Sequence, residues 1–436
     1  MRRPDARQLL SPFAVLLYVY VLYFSLVYGR FYRYVYWDLM NLGTRIIGAV
    51  PRFPTLVLYV FGAIVLIAGF IGGSLIATTA EERSPGRVTA WIMRARAGAS
   101  ARLERFAVVR RFGAGWLFGV SGWAIGLLAN LTQVGLSGGS SLLDIASRWE
   151  QSPVVVFVAS AQLFFVPVLV VSARTRTQRL AAGLAFVVST LGLGLLGARN
   201  LPAKLIVATF LATIIMARPK HVARFALAFA VLLALTMGVI GAISKAGIYE
   251  ASASTGLVVA LTYSDSLGTV YNLDKIVALT PPDGLFEGRL LRDSILSLVP
   301  GVDVEYSSYQ IGRYLGGRSY FIINGVQVER SVSLASTMLG APYADTGLAG
   351  VAGQMLILGS LFGYLQHRAR RARWTVPFLV LMAAYVINGV NAGIYGPNAL
   401  LAVLLAILVG LFDILVAPQG PTLMQSTKEE TYDEMA

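Results

Sequence analysis

The sequence predicts an all-α polytopic membrane protein with about ten transmembrane helices and one large loop on the outer side. Three observations lead there. Of the 436 residues, 56% are hydrophobic and only 13% are charged, against roughly 25% charged in soluble domains. The excess apolar residues are gathered into runs of roughly 18 to 25, the length that spans a hydrocarbon core. In that core only a helix satisfies its own backbone hydrogen bonds within one segment. Cysteine is absent, which excludes a disulfide framework, thiol catalysis and cysteine metal sites.

Taken in order, the runs predict spans over residues 12–28, 54–79, 113–130, 153–172, 180–197, 203–217, 223–243, 347–366, 375–390 and 398–416. The first follows a short basic stretch and lacks a small-residue cleavage site, so it reads as a span and not a cleaved leader. The organisation is then 1–243 with seven spans, an outer loop over 244–346, three spans within 347–416, and a tail over 417–436. The segment 80–111 is rich in arginine and carries Val88, Trp91, Ile92, Leu103 and Phe106 at helical spacing, which suits a helix lying along the inner headgroups. Gly69, Gly72 and Gly73, and later Gly192, Gly194 and Gly197, read as sites of close helix packing.

A net charge of +14 could suggest nucleic acid, but the basic residues sit in short segments between apolar runs. Arg2, Arg3 and Arg7 precede the first span, and further clusters follow the even-numbered ones: Arg83 to Arg111, Arg174 to Arg179, Arg218 to Arg224, and Arg368 to Arg373. The positive-inside rule therefore places both termini in the cytoplasm, with Arg30, Arg33, Arg45 and Arg52 of the first outer loop as the exception.

A loop as long as 244–346 in a compact protein is usually functional. Arg289, Arg292, Arg313, Arg318 and Arg330 supply cationic forks, and Asp303, Glu305 and Glu329 supply carboxylates. Tyr306, Tyr309, Tyr314, Tyr320 and Phe321 supply flat faces suited to a sugar ring. Arginine grips phosphate in two-point fashion. The set as a whole reads as a site for a phosphate-linked glycan, although any one residue taken alone reads better as a solvated loop side chain. Arg199, in the turn Gly197–Pro202 at the outer end of a span, is either a headgroup anchor or a phosphate contact. His221 and His367 fall in basic cytoplasmic turns, and no nucleotide or metal fingerprint is present.

Four short motifs resemble the Wzy-type O-antigen and oligosaccharide repeat-unit polymerases. Gly197-Ala198-Arg199 is similar to that family's Gly-Ser-Arg turn. Phe286-Glu287-Gly288-Arg289 leads into Ser297-Leu298-Val299-Pro300, like its stretch ending in an apolar residue and proline. Gly340-Ala341-Pro342-Tyr343-Ala344-Asp345-Thr346-Gly347 resembles its Gly-Glu-x-Tyr-x-Asn-Phe-Gly pattern. The following span, with Gly350, Gly353, Gly359 and Gly363, is similar too. Three departures stand out: Gly301 follows Pro300 where the family often has arginine, the loop holds no Lys-Pro pair, and Ala341 replaces a glutamate.

The resemblance implies an architecture like that of GT-C-type glycan polymerases and ligases. It also implies an enzyme that joins polyprenyl-diphosphate-linked oligosaccharides on the outer face of the bacterial inner membrane, without cofactor or metal. A chain-length regulator and a flippase would be its partners, together with membrane lipids. Under this reading Arg199, Arg289, Arg292 and Arg313 bind the diphosphate. Asp303, Glu305 or Glu329 takes the acceptor's proton, and Tyr306, Tyr309, Tyr314 and Tyr343 stack on the glycan. Three rivals share parts of the pattern. An O-antigen ligase would want an outer histidine; a single-sugar polyprenyl-phosphate glycosyltransferase would want an acidic pair where Asp38 stands alone; a flippase would want charges within its spans.

Overall fold

The computed structural model describes residues 10–28, 53–82, 106–136, 161–195, 200–216, 224–225, 227–229, 231–232, 268–299, 301–302, 304–315, 318–323, 326–331 and 336–416. Within them the chain is helical, as expected, apart from one short hairpin. The helices are α1 (Pro12–Tyr28), α2 (Phe53–Glu82), α3 (Ala107–Phe112), α4 (Ala114–Leu136), α5 (Gln162–Ser172), α6 (Arg176–Leu195) and α7 (Asn200–Met216). Then come α8 (Gly268–Leu279), α9 (Arg289–Leu296), α10 (Ser307–Tyr314), strands β1 (Arg318–Ile323) and β2 (Val326–Ser331), and α11 (Thr337–Ala369). After a 3₁₀ turn (Arg373–Thr375) the bundle closes with α12 (Val376–Ala392) and α13 (Pro397–Val416). The strands pair antiparallel, Arg318 opposite Ser331 through Ile323 opposite Val326. The two residues between them, Asn324-Gly325, are a preferred pair for a two-residue hairpin.

Among the described residues five helices, α2, α4, α11, α12 and α13, are long and apolar enough to cross a membrane, and α1, α5 and α7 are shorter apolar helices. Most of the expected span over 223–243, the first outer loop, and most of the segment 80–111 lie outside the described residues.

Water does not drive helices together inside a bilayer, so close backbone packing has to do it. α2 and α11 run side by side in the same direction and meet along small residues. A Cβ on Gly359 would stand 2.2 Å from the Leu66 carbonyl oxygen, one on Gly363 2.1 Å from that of Phe70, and one on Gly73 2.0 Å from that of Ser360. Gly69 faces Leu356 in the same seam, whereas Gly72 faces open space and Gly192 makes only ordinary contact with Leu127. Beside the seam, Phe13 stacks on Phe70 at 3.9 Å between ring centroids and leans on Phe362.

The helix ends sort onto two sides. The start of α1 (Ser11, Pro12), the end of α7 (Ile214 to Met216), the end of α11 (Gln366, Ala369, Arg370) and the start of α12 (Arg373, Leu379) line one cavity of about 520 Å³. At the opposite end the Tyr23 hydroxyl of α1 donates to Asn391 Oδ1 of α12 at 3.1 Å, and the Thr55 hydroxyl of α2 donates to Asp274 Oδ1 of α8 at 2.7 Å. The arginines that follow α11 therefore share a side with the start of α1, and the segment 281–315 belongs to the other.

The long helix α11 does not run straight through. Thr346 and Gly347 leave helical geometry, Gly347 with φ +64°. Pro342 removes a backbone donor, which frees the Met338 carbonyl. That carbonyl accepts a hydrogen bond from Gln354 Nε2 at 2.6 Å. Sixteen residues of straight helix would hold those two groups about 24 Å apart. The limbs 337–345 and 348–369 thus turn back on each other, and the second limb, about 33 Å long, matches a bilayer core.

Candidate functional site: an arginine platform on a broken helix

The kink in α11 is where the segment leading into α9 docks. Leu285 N donates to the Ala344 carbonyl at 2.7 Å, Phe286 N to the same oxygen at 3.2 Å, and Leu348 N to the Pro282 carbonyl at 3.2 Å. Gly347 has to be glycine here. Its φ is positive, and a Cβ would stand 1.8 Å from the Pro282 oxygen. The motif Gly340–Gly347 noticed in the sequence is therefore the seat of the loop.

Asp345 does the holding. It is 1% exposed, and its two carboxylate oxygens accept the Leu290 N–H at 3.0 Å and the Leu291 N–H at 3.1 Å. Those are orphan donors of the first turn of α9, where a negative charge is also favoured by the helix dipole. Tyr395 lies close by; burial and then the Asp345 charge push its phenol above the usual range. The Ser307 hydroxyl, at the start of α10, donates to the Tyr395 carbonyl at 3.4 Å. Both short helices are thereby tied to the bundle.

α9 and α10 are amphipathic. Leu290, Ser294, Ser307 and Ile311 face the protein, while the side chains of Arg292 and Arg313 are 64% and 63% exposed. Arg292 bonds to Asp293 at 2.9 Å, Gln310 Nε2 donates to Asp293 Oδ2 at 3.0 Å and to the Glu305 carbonyl at 2.8 Å, and Arg313 pairs with the Glu305 carboxylate. Burial alone would raise the Asp293 carboxyl. Hydrogen bonds from Gln310 and Arg292, with the charges of Arg292 and Arg289, outweigh it and hold the group below the usual carboxylate range. Behind this row the Tyr314 hydroxyl donates to the Leu279 carbonyl at 2.7 Å, and Phe286 meets the Tyr314 ring edge-on at 5.7 Å.

Of the expected site residues, the platform brings together Arg289, Arg292, Arg313, Glu305, Tyr306, Tyr309 and Tyr314. Arg199 and Asp303 lie outside the described residues, as do the side chains of Glu329, Arg318 and Arg330; Glu329 stands opposite Tyr320 in the hairpin register. Tyr343 differs from expectation. At 8% exposure it packs in the hydrophobic core, because the limb that carries it is enclosed on all sides, and it offers no open face to a sugar. The sequence reading missed Asp293 and Gln310, whose signal was only their helical spacing from Arg289 and Arg313. It quoted Asp345 within a motif but gave it no role. Among the described residues no three His, Asp or Glu side chains gather as metal ligands would.

A chain with this many apolar helices, five of those described long enough to cross a bilayer, is a multi-pass membrane protein. The family described as Putative O-antigen polymerase matches residues 10–402, and the chain belongs to that family. It is thus a polymerase of polysaccharide biosynthesis, acting on lipid-linked oligosaccharides, and the match does not favour the ligase, single-sugar transferase or flippase readings. No curated protein and no solved structure matches the chain.

Proposed function

We propose that the protein joins polyprenyl-diphosphate-linked repeat units on the outer face of the bacterial inner membrane, building O-antigen or exopolysaccharide. Both termini are then cytoplasmic, the loop 244–346 is periplasmic, and about ten helices span the membrane. A flippase would deliver the units and a chain-length regulator would limit the product. The observation that carries the reading is the exposed arginine row of α9 and α10, seated on the break in α11 at one end of the apolar bundle.

In the reaction a sugar hydroxyl of the acceptor attacks the anomeric carbon of the donor. A new C–O bond forms, the bond from that carbon to the diphosphate breaks, and its electron pair leaves on the lipid diphosphate. A single displacement of this kind inverts the anomeric configuration. Arg289, Arg292, Arg313 and Arg199 stabilise the charge that develops on the leaving group. The hydroxyl proton goes to a carboxylate, for which Asp303, Glu305 and Glu329 are the candidates. Of these, Glu305 pairs with Arg313 on the platform itself. Tyr306, Tyr309 and Tyr314 supply faces for the glycan. The leaving group is already good, so neither metal nor nucleotide is required.

The test is reconstitution. Purified protein given only lipid-linked repeat units and chelator makes a ladder of longer chains. A ladder that chelator abolishes and magnesium restores overturns the metal-free chemistry, and no ladder under any condition overturns the polymerase reading.

A further inference from the structure

α7 carries a single charged side chain, Lys204. Its ammonium sits 4.6 Å from the centroid of the Tyr385 ring on α12, and Tyr385 is buried. Among the described residues no carboxylate pairs with it. An unpaired cation among apolar helices is costly, and such residues usually mark a site. Snorkelling to the headgroups would be the ordinary escape. Tyr385, however, lies seven residues before the end of α12, about 10 Å down the helix. Lys204, a half-buried residue, therefore reaches with its ammonium toward the buried Tyr385 ring.

Polar groups continue upward from there. Tyr385, Asn388 and Asn391 recur at three-residue spacing, on one face of α12. Asn388 is half-buried, and Asn391 accepts the Tyr23 hydroxyl. A track of phenol and amide groups thus leads from Lys204 toward the end of the bundle that bears the arginine platform. A cation with amide donors above it, walled by apolar helices, fits a phosphoryl anion whose hydrocarbon chain lies in the bilayer. In sequence Lys204 lies five residues after Arg199, the last residue of the Gly197-Ala198-Arg199 motif. Lysine acts on a phosphate as a compact point charge.

We propose that Lys204, with Asn388, seats a phosphate of the polyprenyl diphosphate inside the outer half of the bundle, beneath the loop arginines. The inference rests on the polymerase reading and adds a second cationic contact to the leaving group, one that the loop does not supply. The carrier's diphosphate would then lie in the bundle wall while its glycan reaches the platform.

The test measures binding, with no acceptor glycan present. Full-length protein in phosphatidylcholine nanodiscs is titrated with a long-chain polyprenyl diphosphate, with phosphatidylglycerol, and with inorganic pyrophosphate. Lys204→Met is expected to weaken polyprenyl diphosphate binding by about 10-fold or more, the scale of one charge-assisted contact. Phosphatidylglycerol binding is expected to stay unchanged, and the ligand-free thermal midpoint to stay level or rise. Asn388→Leu should weaken the same ligand less, and it serves as the reporter if Lys204→Met does not fold. Unchanged diphosphate affinity in the folded variants overturns the proposal. So does an equal loss for phosphatidylglycerol, or pyrophosphate binding as tight as that of the lipid. A lowered midpoint with intact binding would make Lys204 a packing residue only. Absence of a polymer ladder from wild-type protein would overturn the polymerase reading without touching this measurement.

Discussion

Two aspartates at opposite ends of the protein meet the same problem and solve it differently. Asp345, at the kink of α11, is fully buried and gives both oxygens to backbone N–H groups at the start of α9. Asp413, on α13, is buried against the other end of α11. It accepts the Tyr364 hydroxyl at 2.8 Å and pairs with Arg368, their side chains 3% and 6% exposed. Each carboxylate would be costly alone. The Asp413 pair closes a contact between two long helices. The Asp345 carboxylate instead fixes the position of a helix whose arginines face out. A buried charge answered by a side chain fastens two long helices, whereas one answered by the first amides of α9 sets where that short helix sits.

The comparison breaks most sharply at Arg368. Arg368→Ala leaves Asp413 buried without its cation and should cost about 3–5 kcal/mol. Chain-building activity per folded molecule should not change. The paired change Arg368→Met with Asp413→Leu should restore most of the loss, read as a thermal midpoint in detergent. Failure of the double variant to recover would mean that the pair does more than fasten two helices.

Asp345→Ala should behave in the opposite way. The two freed amides and the lost charge cost about 1–3 kcal/mol, felt at α9 more than in the bundle. Activity should fall far more than the midpoint, because Arg289 and Arg292 lose their placement. Hydrogen exchange should rise at Leu290 and Leu291 first. Equal exchange in variant and wild type would remove Asp345 from its positioning role.

Gly359→Ala probes the helix seam that the site depends on only indirectly. Its Cβ has no room beside the Leu66 carbonyl, so α2 and α11 must part, at a cost of about 1–3 kcal/mol. The midpoint should drop while the donor KM stays constant.

The smallest effect is the pH response of the tie between α9 and α10. The Asp293 carboxyl is held below its ordinary value in the folded protein. The tie therefore stabilises the platform above the unfolded carboxylate's pKa and is lost as pH falls through the lower, folded value. Hydrogen exchange at α9 and α10 should stay flat from neutral pH to the ordinary carboxylate range and rise only below it. Asp293→Asn should erase that rise.

The sequence by itself determined the class of fold. Apolar runs of about 20 residues with few charges point to membrane helices, since only a helix satisfies its own backbone in lipid within one segment. It named Arg289, Arg292 and Arg313 as candidate phosphate contacts, because arginine in a polar loop stays charged wherever the loop goes. It also singled out Gly340–Gly347 through resemblance, and Gly69 and Gly73 through the spacing of small residues. It gave no function to Asp345, since the partners of that carboxylate are backbone amides some 55 residues away, and backbone amides leave no mark in a sequence. For the same reason Tyr343 read as an open ring when it is enclosed. Only the folded chain decides which polar groups meet. The break at Gly347 turns α11 back on itself, and that turn makes one surface of a proline-rich loop, a buried aspartate and three exposed arginines.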